Sequence, residues 1–306
     1  MTSGFVVENG GMQSSIQDKG RVGVSDIGLT QSGVMDEMAF GYANMLVGNA
    51  LNTAVIEVAM GGLVLRSQGT HTLVVTGAMM HPTCNGKPFE MWKTIVVHDG
   101  DEIRLGFATA GQFAYIAVAG GFITPLSYGS YSTSLKEGLG GIEGRKLLKG
   151  DLLSSHGEVH RLVRALEPHH VPTYPQHITL RVVKGYQEVM FDEAAQRTFF
   201  GATYTFKGEG NRMGYRLSGD KVIPKQTGIL SEPICYGAIQ LPTHGEPIVL
   251  LKERQTIGGY PKIGSVITVD CFKLAQLKTG GTVRFEEISA EDALEITRKF
   301  YTFFTF

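Results

Sequence analysis

Glycine recurs along the whole chain and separates short apolar runs. The sequence has 40 glycines in 306 residues, about twice the usual share, and they are spread along it rather than gathered in one tract. The runs between them are rich in β-branched residues, and most end at Gly, Asn, Asp or Pro. Such spacing is typical of many short strands joined by tight turns. The predicted strands are FVVE (5–8), LVLR (63–66), HTLVVTG (71–77), KTIVVH (93–98), EIRLGF (102–107), FAYIAVAG (113–120), ITLRVVKG (178–185), AIQLP (238–242), PIVLLK (247–252), SVITVD (265–270) and TVRFEEI (282–288).

Helical periodicity is much rarer than strand-like alternation. It is found in residues 36–49, where Asp36 can cap the first turn, in residues 191–200, and in residues 289–304, which Ser289 opens. The sequence therefore predicts a mainly β fold with a few short helices.

The two halves of the chain share three short patterns in the same order. Together these matches predict that one β unit has been duplicated. The pairs are VVENGGMQ (6–13) with VVKGYQ (182–187), GLTQSG (28–33) with GYRLSG (214–219), and EVAMGGLVL (57–65) with EPICYGAIQ (232–240).

A proline- and histidine-rich stretch lies between the halves. ALEPHHVPTYPQH, residues 165–177, has no apolar period and is typical of a linker. We therefore predict an N-terminal domain over residues 1–166, a linker over 167–177 and a C-terminal domain over 178–306. Two similar barrels leave a cleft at their interface, and we expect polar residues at strand ends of the second barrel to face it.

The charge composition indicates which kinds of binding partner to expect. The chain has 28 basic and 29 acidic residues and a net charge of −1, which favours neither nucleic acid nor a membrane surface. The sequence shows no long apolar span and no signal peptide at its start, so we expect a cytoplasmic protein. Its cysteines, Cys84, Cys235 and Cys271, form no CxxC pair, and we interpret them as small buried residues without a disulfide.

Several common catalytic motifs are missing from the sequence. It contains no GxxxxGK[ST] phosphate loop and no GxSxG nucleophile elbow, and GEGNRMG at 208–214 misses the dinucleotide-binding spacing by one residue. His156 and His160 are four residues apart, but Gly157 between them weakens a helix, so we interpret this segment as a solvated loop and expect no metal site.

The first candidate site segment is SIQDKGRVG, residues 15–23. Gln17, Asp18 and Arg21 lie beside glycine in a predicted turn. They are candidates for substrate binding, although a surface hairpin has the same composition.

The second candidate segment is the glycine-rich stretch 128–146. Its Ser130, Ser132 and Thr133 accompany backbone amides that can cradle an oxyanion or phosphate. Glycine-rich loops are also often only turns, so both interpretations stay open.

Two further segments lie in the second half. GEGNRMGYRLSG (208–219) carries Arg212 and Arg216, and LLKERQTIGGYPKIG (250–264) carries Arg254 beside two adjacent glycines. An arginine next to glycine suits bidentate binding of a carboxylate or phosphate, because the guanidinium needs close approach. Glu232 and Glu253 are candidate general acids or bases, or else partners of nearby arginines.

An ordered set of motifs then identifies a family resemblance. IQDKGR, SGVMDEMAFGYANMLVGN, AVAGG, GSYST, LGGIEGRKL, NRMGYRLSG, GAIQLP, RQTIGGYPKIGSVI and LAQLKTGGTVRF follow one another through the chain. The sequence resembles the biotin-dependent carboxyltransferase family, also called the allophanate hydrolase subunit 2 or KipA family, over about residues 4 to 288. The resemblance implies two cyclophilin-like β-barrel domains, in agreement with the duplication.

The resemblance also implies three alternative functions. Free-standing members include the C subunit of ATP-dependent 5-oxoprolinase, which opens 5-oxoproline to L-glutamate together with a separate A subunit, and with a KipI-type B subunit of the allophanate hydrolase subunit 1 family. In fused relatives the module moves a carboxyl group to urea from carboxybiotin, which another chain would have to deliver here. Other relatives antagonise an inhibitor of a histidine kinase. We expect the first function, with ATP bound at a site shared with the partner subunits.

In the lactam-opening interpretation, arginines bind the substrate carboxylate or phosphate, polar side chains hold the lactam, and a glutamate carries protons. The family often has Asp before the arginine of each motif, whereas this chain has Asn211 and Glu253, so Asn211 is expected only to form hydrogen bonds. The predicted catalytic residues are Glu232, Glu253, Arg254, Thr256 and Tyr260, and the predicted substrate-binding residues are Arg212, Arg216, Gln240, Gln255, Gly258, Gly259, Gln17, Asp18, Arg21, Ser130, Ser132 and Thr133.

Overall fold

Strands dominate the protein. The computed structural model describes residues 3–160 and 162–304. The predicted mainly β class, with a β unit in each half and a few helices, is confirmed. The described residues include no helix long and apolar enough to cross a membrane.

The chain forms two compact units. Of the described residues, 3–22 and 32–174 form the first unit, and 23–31 and 175–304 form the second. The division after Tyr174 falls inside the predicted linker, residues 167–177. A short segment from the first half of the sequence therefore belongs to the second unit.

The described part of the first unit forms eleven strands in two sheets. One sheet has the order β11-β1-β4-β9-β6-β7 and the other β2-β3-β10-β5-β8. The strands are β1 (Gly4–Gly10), β2 (Gln13–Gln17), β3 (Val55–Ala59), β4 (Leu63–Gln68), β5 (His71–Met79), β6 (Thr83–Cys84), β7 (Lys87–Pro88), β8 (Ile95–Val97), β9 (Glu102–Arg104), β10 (Ala110–Val118) and β11 (Leu152–Ser154).

The core of this unit lies between its two sheets. Phe5 and Leu65 come from the first sheet, Ile56 and Ile116 from the second, and all four belong to one buried apolar cluster. Alternate residues of each strand point inward, so the short β-branched runs of the sequence fill the space between the sheets.

The second unit is built on a closed seven-stranded barrel. Its order is β12-β19-β16-β17-β14-β13-β20, and β15 and β18 form a separate two-stranded ribbon. The strands are β12 (His177–Lys184), β13 (Tyr204–Asn211), β14 (Gly214–Ser218), β15 (Glu232–Pro233), β16 (Ala238–Gln240), β17 (Ile248–Leu250), β18 (Ile257–Gly258), β19 (Lys262–Val266) and β20 (Thr282–Glu287).

Three of the four α-helices formed by the described residues lie where the sequence predicts them. These are α1 (Glu37–Leu46), α2 (Glu193–Gly201) and α4 (Ala290–Phe304), and α3 (Thr268–Ala275) lies between the last two. The Asp36 carboxylate accepts from the backbone N–H groups of Met38 and Ala39, each at 3.1 Å, which confirms the predicted cap.

The strand predicted over residues 265–270 is wrong in its second half. The strand ends at Val266, and α3 begins at Thr268. The run SVITVD is rich in β-branched residues, but its Asp270 is fully buried and its carboxylate accepts from Arg181 of β12 at 2.8 Å. Because this ion pair and the buried face of α3 depend on distant residues, tertiary contacts override the local preference.

Candidate functional site

The candidate site lies on one face of the barrel of the second unit. Directly opposed residues place Lys262, Gln240, Ile248 and Arg216 in one row across β19, β16, β17 and β14. Directly opposed residues in antiparallel strands share a face, and their Cβ atoms are about 5 Å apart. This row therefore brings Gln240 and Arg216 onto the same face as Lys262. The sequence predicted Gln240 and Arg216 as site residues, but it did not predict Lys262 as one.

The two-stranded ribbon lies beside this row. Glu232 of β15 is opposed to Gly258 of β18, and Ile234 after β15 packs with buried residues of β16 and β17. A Cβ at residue 258 would lie 2.5 Å from Ile234 Cδ1 and 2.9 Å from Gln240 Nε2. Glycine at this position therefore permits the close approach of the ribbon to Gln240.

The Glu232 carboxylate is the centre of a polar cluster. It forms an ion pair with Lys262 Nζ, accepts from the Tyr186 hydroxyl, and accepts from Gln187 Nε2 at 2.6 Å. Gln187 Oε1 in turn accepts from the backbone N–H of Lys262 at 2.8 Å. Hydrogen bonds from Lys262 and Tyr186 hold the pKa of Glu232 below its ordinary value, so this carboxylate is ionised at neutral pH.

Arg254 is held largely by the second unit's own backbone. Its Nε donates to the Ile234 carbonyl at 3.1 Å, and Nη1 donates to the Leu251 carbonyl and to Gln31 Oε1, each at 3.3 Å. Its guanidinium also lies over the ring of Tyr236. Burial lowers the pKa of Arg254. These contacts orient the guanidinium, and its predicted anion-binding role stays a prediction.

Arg212 and Glu253 form a buried ion pair. Arg212 Nε donates to Glu253 Oε1 at 2.7 Å, and the two residues are 5% and 6% exposed. The neighbouring Asn211 accepts the Met213 backbone N–H at 2.7 Å, which is the hydrogen-bonding role expected of it. Of the two alternatives considered for Glu253, the structure shows the contact with an arginine.

The remaining predicted residues of the second unit lie around the ribbon. Gln255 Nε2 donates to Gln240 Oε1 at 3.4 Å, and the Thr256 carbonyl accepts from Ile234 N–H at 3.0 Å. Tyr260 is 44% exposed.

Gly259 and Arg216 lie at the edges of this region. The Gly259 carbonyl accepts from Ile229 N–H at 2.8 Å. Arg216 lies 3.4 Å from the His244 imidazole and 3.6 Å from the Glu209 carboxylate. The structure therefore brings Glu232, Gln240, Gln255 and Gly258 together at the ribbon, whereas Arg216 and Gly259 lie at its edges and Tyr260 is exposed.

The predicted set in the first unit forms a separate cluster around Asp18. Its carboxylate accepts from Ser130 Oγ and Ser132 Oγ, each at 2.5 Å, and from the backbone N–H groups of Gly20 and Tyr131, each at 2.8 Å. All four backbone N–H groups of residues 130–133 donate to acceptors within the protein. These amides therefore already have acceptors, and the binding of an oxyanion or phosphate by this loop stays a prediction.

The other members of this set tie the same loop to β2. Arg21 Nη2 donates to the Ser132 carbonyl at 2.7 Å, Gln17 Nε2 donates to the Thr133 carbonyl at 3.0 Å, and Thr133 Oγ1 donates to the Ile16 carbonyl at 3.0 Å. The structure shows what these groups already bind, and a contact between them and a substrate stays a prediction.

Sequence reasoning did not select Gln187 and Lys262. Gln187 ends the repeated pattern VVKGYQ, and Lys262 lies in the motif RQTIGGYPKIGSVI, so both belong to segments that the sequence patterns single out. Their role depends on pairing between strands that are distant in sequence. Among residues 3–160 and 162–304, no group of three or more His, Cys, Asp or Glu side chains is arranged to hold a metal ion.

Comparisons with known proteins agree with this architecture. The family model "Carboxyltransferase domain, subdomain A and B" matches residues 27–287. The chain is 36% identical over 290 residues to the 5-oxoprolinase C subunit of Haemophilus influenzae, covering 94% of this chain and 92% of the relative. It is 34% identical to the 5-oxoprolinase C subunit of Escherichia coli, covering 93% and 91%.

A solved structure shows the same fold within a longer protein. The urea carboxylase of Kluyveromyces lactis matches with a TM-score of 0.91 and 27% identity, over 97% of this chain but only 28% of that chain. Because the family model covers most of the sequence and relatives match over nearly their whole length, this chain belongs to the carboxyltransferase domain family, subdomains A and B.

Proposed function

We propose that this chain is the C subunit of an ATP-dependent 5-oxoprolinase, which opens 5-oxoproline to L-glutamate together with an A subunit, and with a B subunit of KipI type. The observation that carries this proposal is the match over nearly the full length of both chains to proteins named as the C subunit of 5-oxoprolinase. The word subunit in those names supports a function within a larger enzyme complex.

The chemistry of the reaction requires an activated lactam, because an amide is a poor electrophile. ATP would transfer its terminal phosphoryl group to the lactam oxygen and leave as ADP. Water would then add to the ring carbon while the ring C–N bond breaks, and a second water would release the phosphoryl group as inorganic phosphate and leave the carboxylate. The nitrogen that leaves must receive a proton. For this reaction the chain would have to supply hydrogen-bond donors that hold the lactam. It would also have to supply a proton carrier that is in contact with solvent.

The geometry favours Glu232 over Glu253 as this proton carrier. Glu253 is buried against Arg212, whereas the Glu232 side chain is 25% exposed and contacts the Lys262 ammonium. Glu232 is ionised at neutral pH because its pKa is lowered, and it can accept a proton from water while Lys262 balances its charge. Gln240 and Gln255 lie beside this pair and offer carboxamide groups to the substrate.

ATP would be bound in the assembled complex rather than at the serine-rich loop of the first unit. The backbone amides of residues 130–133 are already used within the protein, and the loop surrounds the Asp18 carboxylate. The cofactor site is therefore proposed at a surface completed by the partner subunits.

A biotin-dependent carboxyltransferase activity is the second candidate. The match to the Kluyveromyces lactis urea carboxylase favours it, although this chain spans a small part of that protein. Such an activity would require a separate chain to deliver carboxybiotin.

The test is 5-oxoproline-dependent ATP hydrolysis, with glutamate detected, by the chain mixed with its A and B partners. We expect turnover only when all three chains are present. Glu232→Gln should reduce kcat by about 10²-fold or more if the carboxylate carries protons. Glu193→Gln is the matched control, because the Glu193 side chain is 91% exposed on α2. An assembled, folded complex without turnover would reject the proposal, and transfer of a carboxyl group from carboxybiotin would establish the second candidate.

A further inference from the structure

Two buried donors lie next to each other on the barrel face. Gln240 is 2% exposed, and its Nε2 has no hydrogen-bond partner among the described residues. The Lys262 ammonium is also buried, and the contact described for it is the ion pair with Glu232. An ammonium has three N–H donors, so one carboxylate contact leaves it with donor capacity. Buried donors without partners are rare in proteins, and here one of them lies opposite an ammonium that keeps donor capacity.

A β-bulge brings these two residues together. Ile239 is opposed to Gly264, so a regular ladder would place Ile263 opposite Gln240. The register shifts at this point, and Lys262 lies opposite Gln240 instead. The extra residue, Ile263, is fully buried in the barrel. Bulges that re-aim a side chain are common beside active sites, and this one replaces an apolar neighbour with a cation.

The ribbon backbone lies close to the Gln240 carboxamide. A Cβ at residue 258 would lie only 2.9 Å from Nε2, so glycine keeps this donor clear of a side chain on the ribbon. Within residues 3–160 and 162–304, Gln240 Oε1 accepts only the long 3.4 Å contact from Gln255, so it retains capacity to accept a further hydrogen bond. Gln240 can therefore both donate to a ligand and accept from it.

We propose that Gln240 and Lys262 together bind the cis-amide edge of a lactam. In a lactam the ring holds the N–H and the C=O on the same side, so one primary carboxamide can pair with both. Gln240 Nε2 donates to the lactam carbonyl, Gln240 Oε1 accepts from the lactam N–H, and Lys262 Nζ donates to the same carbonyl oxygen. This inference rests on the proposed function and defines the substrate class of that site.

The arrangement discriminates against open-chain secondary amides. An ordinary secondary amide is trans, so its N–H and C=O point in opposite directions and cannot both pair with one glutamine. Glu232 acts here as a positioning residue, because it holds the Lys262 side chain beside Gln240. A cyclic urea presents the same cis edge as a lactam, so the site recognises the edge rather than the whole ring.

The first experiment compares ligands and variants of the full-length chain by NMR-detected binding. The probes are 2-pyrrolidinone, which has the lactam N–H, and N-methyl-2-pyrrolidinone, which lacks it. For the wild-type chain we expect methylation to weaken binding by about tenfold, the effect of one hydrogen bond. For Gln240→Met the two probes should bind equally, because the acceptor of the N–H is gone. Equal probe affinities in the wild type, or an unchanged preference in Gln240→Met, would overturn the inference.

Two further variants cover the case in which Gln240→Met does not fold. Lys262→Met should weaken the binding of both probes by a similar factor, because it removes one hydrogen-bond donor to the probe carbonyl. It leaves the contact between the lactam N–H and Gln240 Oε1 in place. Gly258→Ala should also weaken the binding of both probes, because the added Cβ would lie too close to Nε2 and would displace the Gln240 carboxamide. Gln196→Met is the control, since the Gln196 side chain donates to the Glu188 and Phe191 carbonyls, each at 3.2 Å, at a different place in the same unit. Wild-type affinity in both Lys262→Met and Gly258→Ala would also overturn the inference.

The second experiment separates this inference from the proposed function. In the complex with the A and B partners, Gln240→Met should raise the KM for 5-oxoproline by about tenfold or more. Turnover with an unchanged KM would overturn the cis-amide site while the proposed function stands. A wild-type complex without turnover, together with the expected probe preference of the isolated chain, would reject the proposed function and support the site.

Discussion

Arg212 and Glu253 are joined twice, once through their side chains and once through their backbones. Arg212 Nε donates to Glu253 Oε1 at 2.7 Å, and the Glu253 N–H donates to the Arg212 carbonyl at 2.8 Å. Arg212 follows β13, and Glu253 lies after β17, so the contact connects two segments that are 41 residues apart. We expect this pair to hold the two segments together, because removing the carboxylate would leave a buried guanidinium without its counter-charge.

Replacing Glu253 with glutamine tests this role. Glu253→Gln keeps the shape of the side chain but removes the charge opposite a buried guanidinium, which should lower the free energy of unfolding by about 3 kcal/mol. Urea denaturation measures the change. Glu209→Gln is the control, because its side chain is 63% exposed, and it should change stability by less than about 0.5 kcal/mol. A loss no larger in Glu253→Gln than in the control would contradict a structural role.

The Glu232 cluster makes a prediction about proton binding. Hydrogen bonds from Lys262 and Tyr186 lower the pKa of this carboxyl, so removing the Tyr186 hydroxyl should raise it. In Tyr186→Phe we expect the Glu232 pKa to move toward the ordinary value of about 4.3. Carbon-detected NMR titration of the Glu232 carboxyl measures this directly. Tyr128→Phe, a change at an exposed tyrosine of the first unit, should leave the titration unchanged.

The direction of the pH effect follows from the lowered pKa. The stabilisation that the ionised Glu232–Lys262 pair gives is complete above the unfolded pKa of glutamate. It is lost as the pH falls through the lower folded pKa of Glu232. If Glu232 is the proton carrier, the acid limb of kcat/KM in Tyr186→Phe should shift to higher pH in parallel with the titration. An acid limb that stays in place while the carboxyl pKa rises would assign the proton transfer to another group.

Local sequence signals were sufficient for much of the fold. Asp36 and Ser289 are caps whose hydrogen bonds involve residues within three positions of them, and both helices begin where the sequence predicts. Helix α3 was missed because its buried Asp270 pairs with Arg181, which is 89 residues away. The local sequence around residue 267 shows only a β-branched run and contains no information about the contact between Asp270 and Arg181.

The candidate site shows the same limit. Gln240 and Glu232 were selected because they lie in motifs beside glycines, and the structure places them on one side of the barrel. Lys262 was not selected, because its position opposite Gln240 depends on a bulge at Ile263. Pairing register and bulges arise from contacts between strands, and a single sequence without strand pairings does not contain them.

The Asp18 cluster makes a prediction about stability in the first unit. Its carboxylate accepts four hydrogen bonds, two from Ser130 and Ser132 and two from backbone N–H groups. Asp18→Asn replaces an acceptor oxygen with a donor and removes the charge, so we expect a loss of about 3 kcal/mol of unfolding free energy. Chemical denaturation measures the loss.

Hydrogen exchange locates the effect of Asp18→Asn. The backbone N–H groups of residues 130–133 should exchange faster in the variant, because the loop is held to β2 by this cluster. Ser25→Ala, at an exposed serine, is the control and should leave both stability and exchange unchanged. Normal protection of the loop in Asp18→Asn would show that the remaining contacts of Arg21 and Gln17 are sufficient.

The buried Asp270 predicts how stability depends on pH. Burial opposes its ionisation, but hydrogen bonds from Arg181 and Lys273 outweigh burial and lower its pKa. The stabilisation from its ionised form is therefore complete above the unfolded pKa of about 3.9 and is lost as the pH falls through the lower folded value.

Asp270→Asn should cost about 3 kcal/mol of unfolding free energy at neutral pH, because Arg181 then lacks its carboxylate. The difference in stability from wild type should shrink below about pH 4. Urea denaturation from pH 3 to pH 7 measures both curves, with the exposed Asp220→Asn as the control. A difference between wild type and Asp270→Asn that is constant across this range would show that the charge of Asp270 contributes nothing and that only its shape matters.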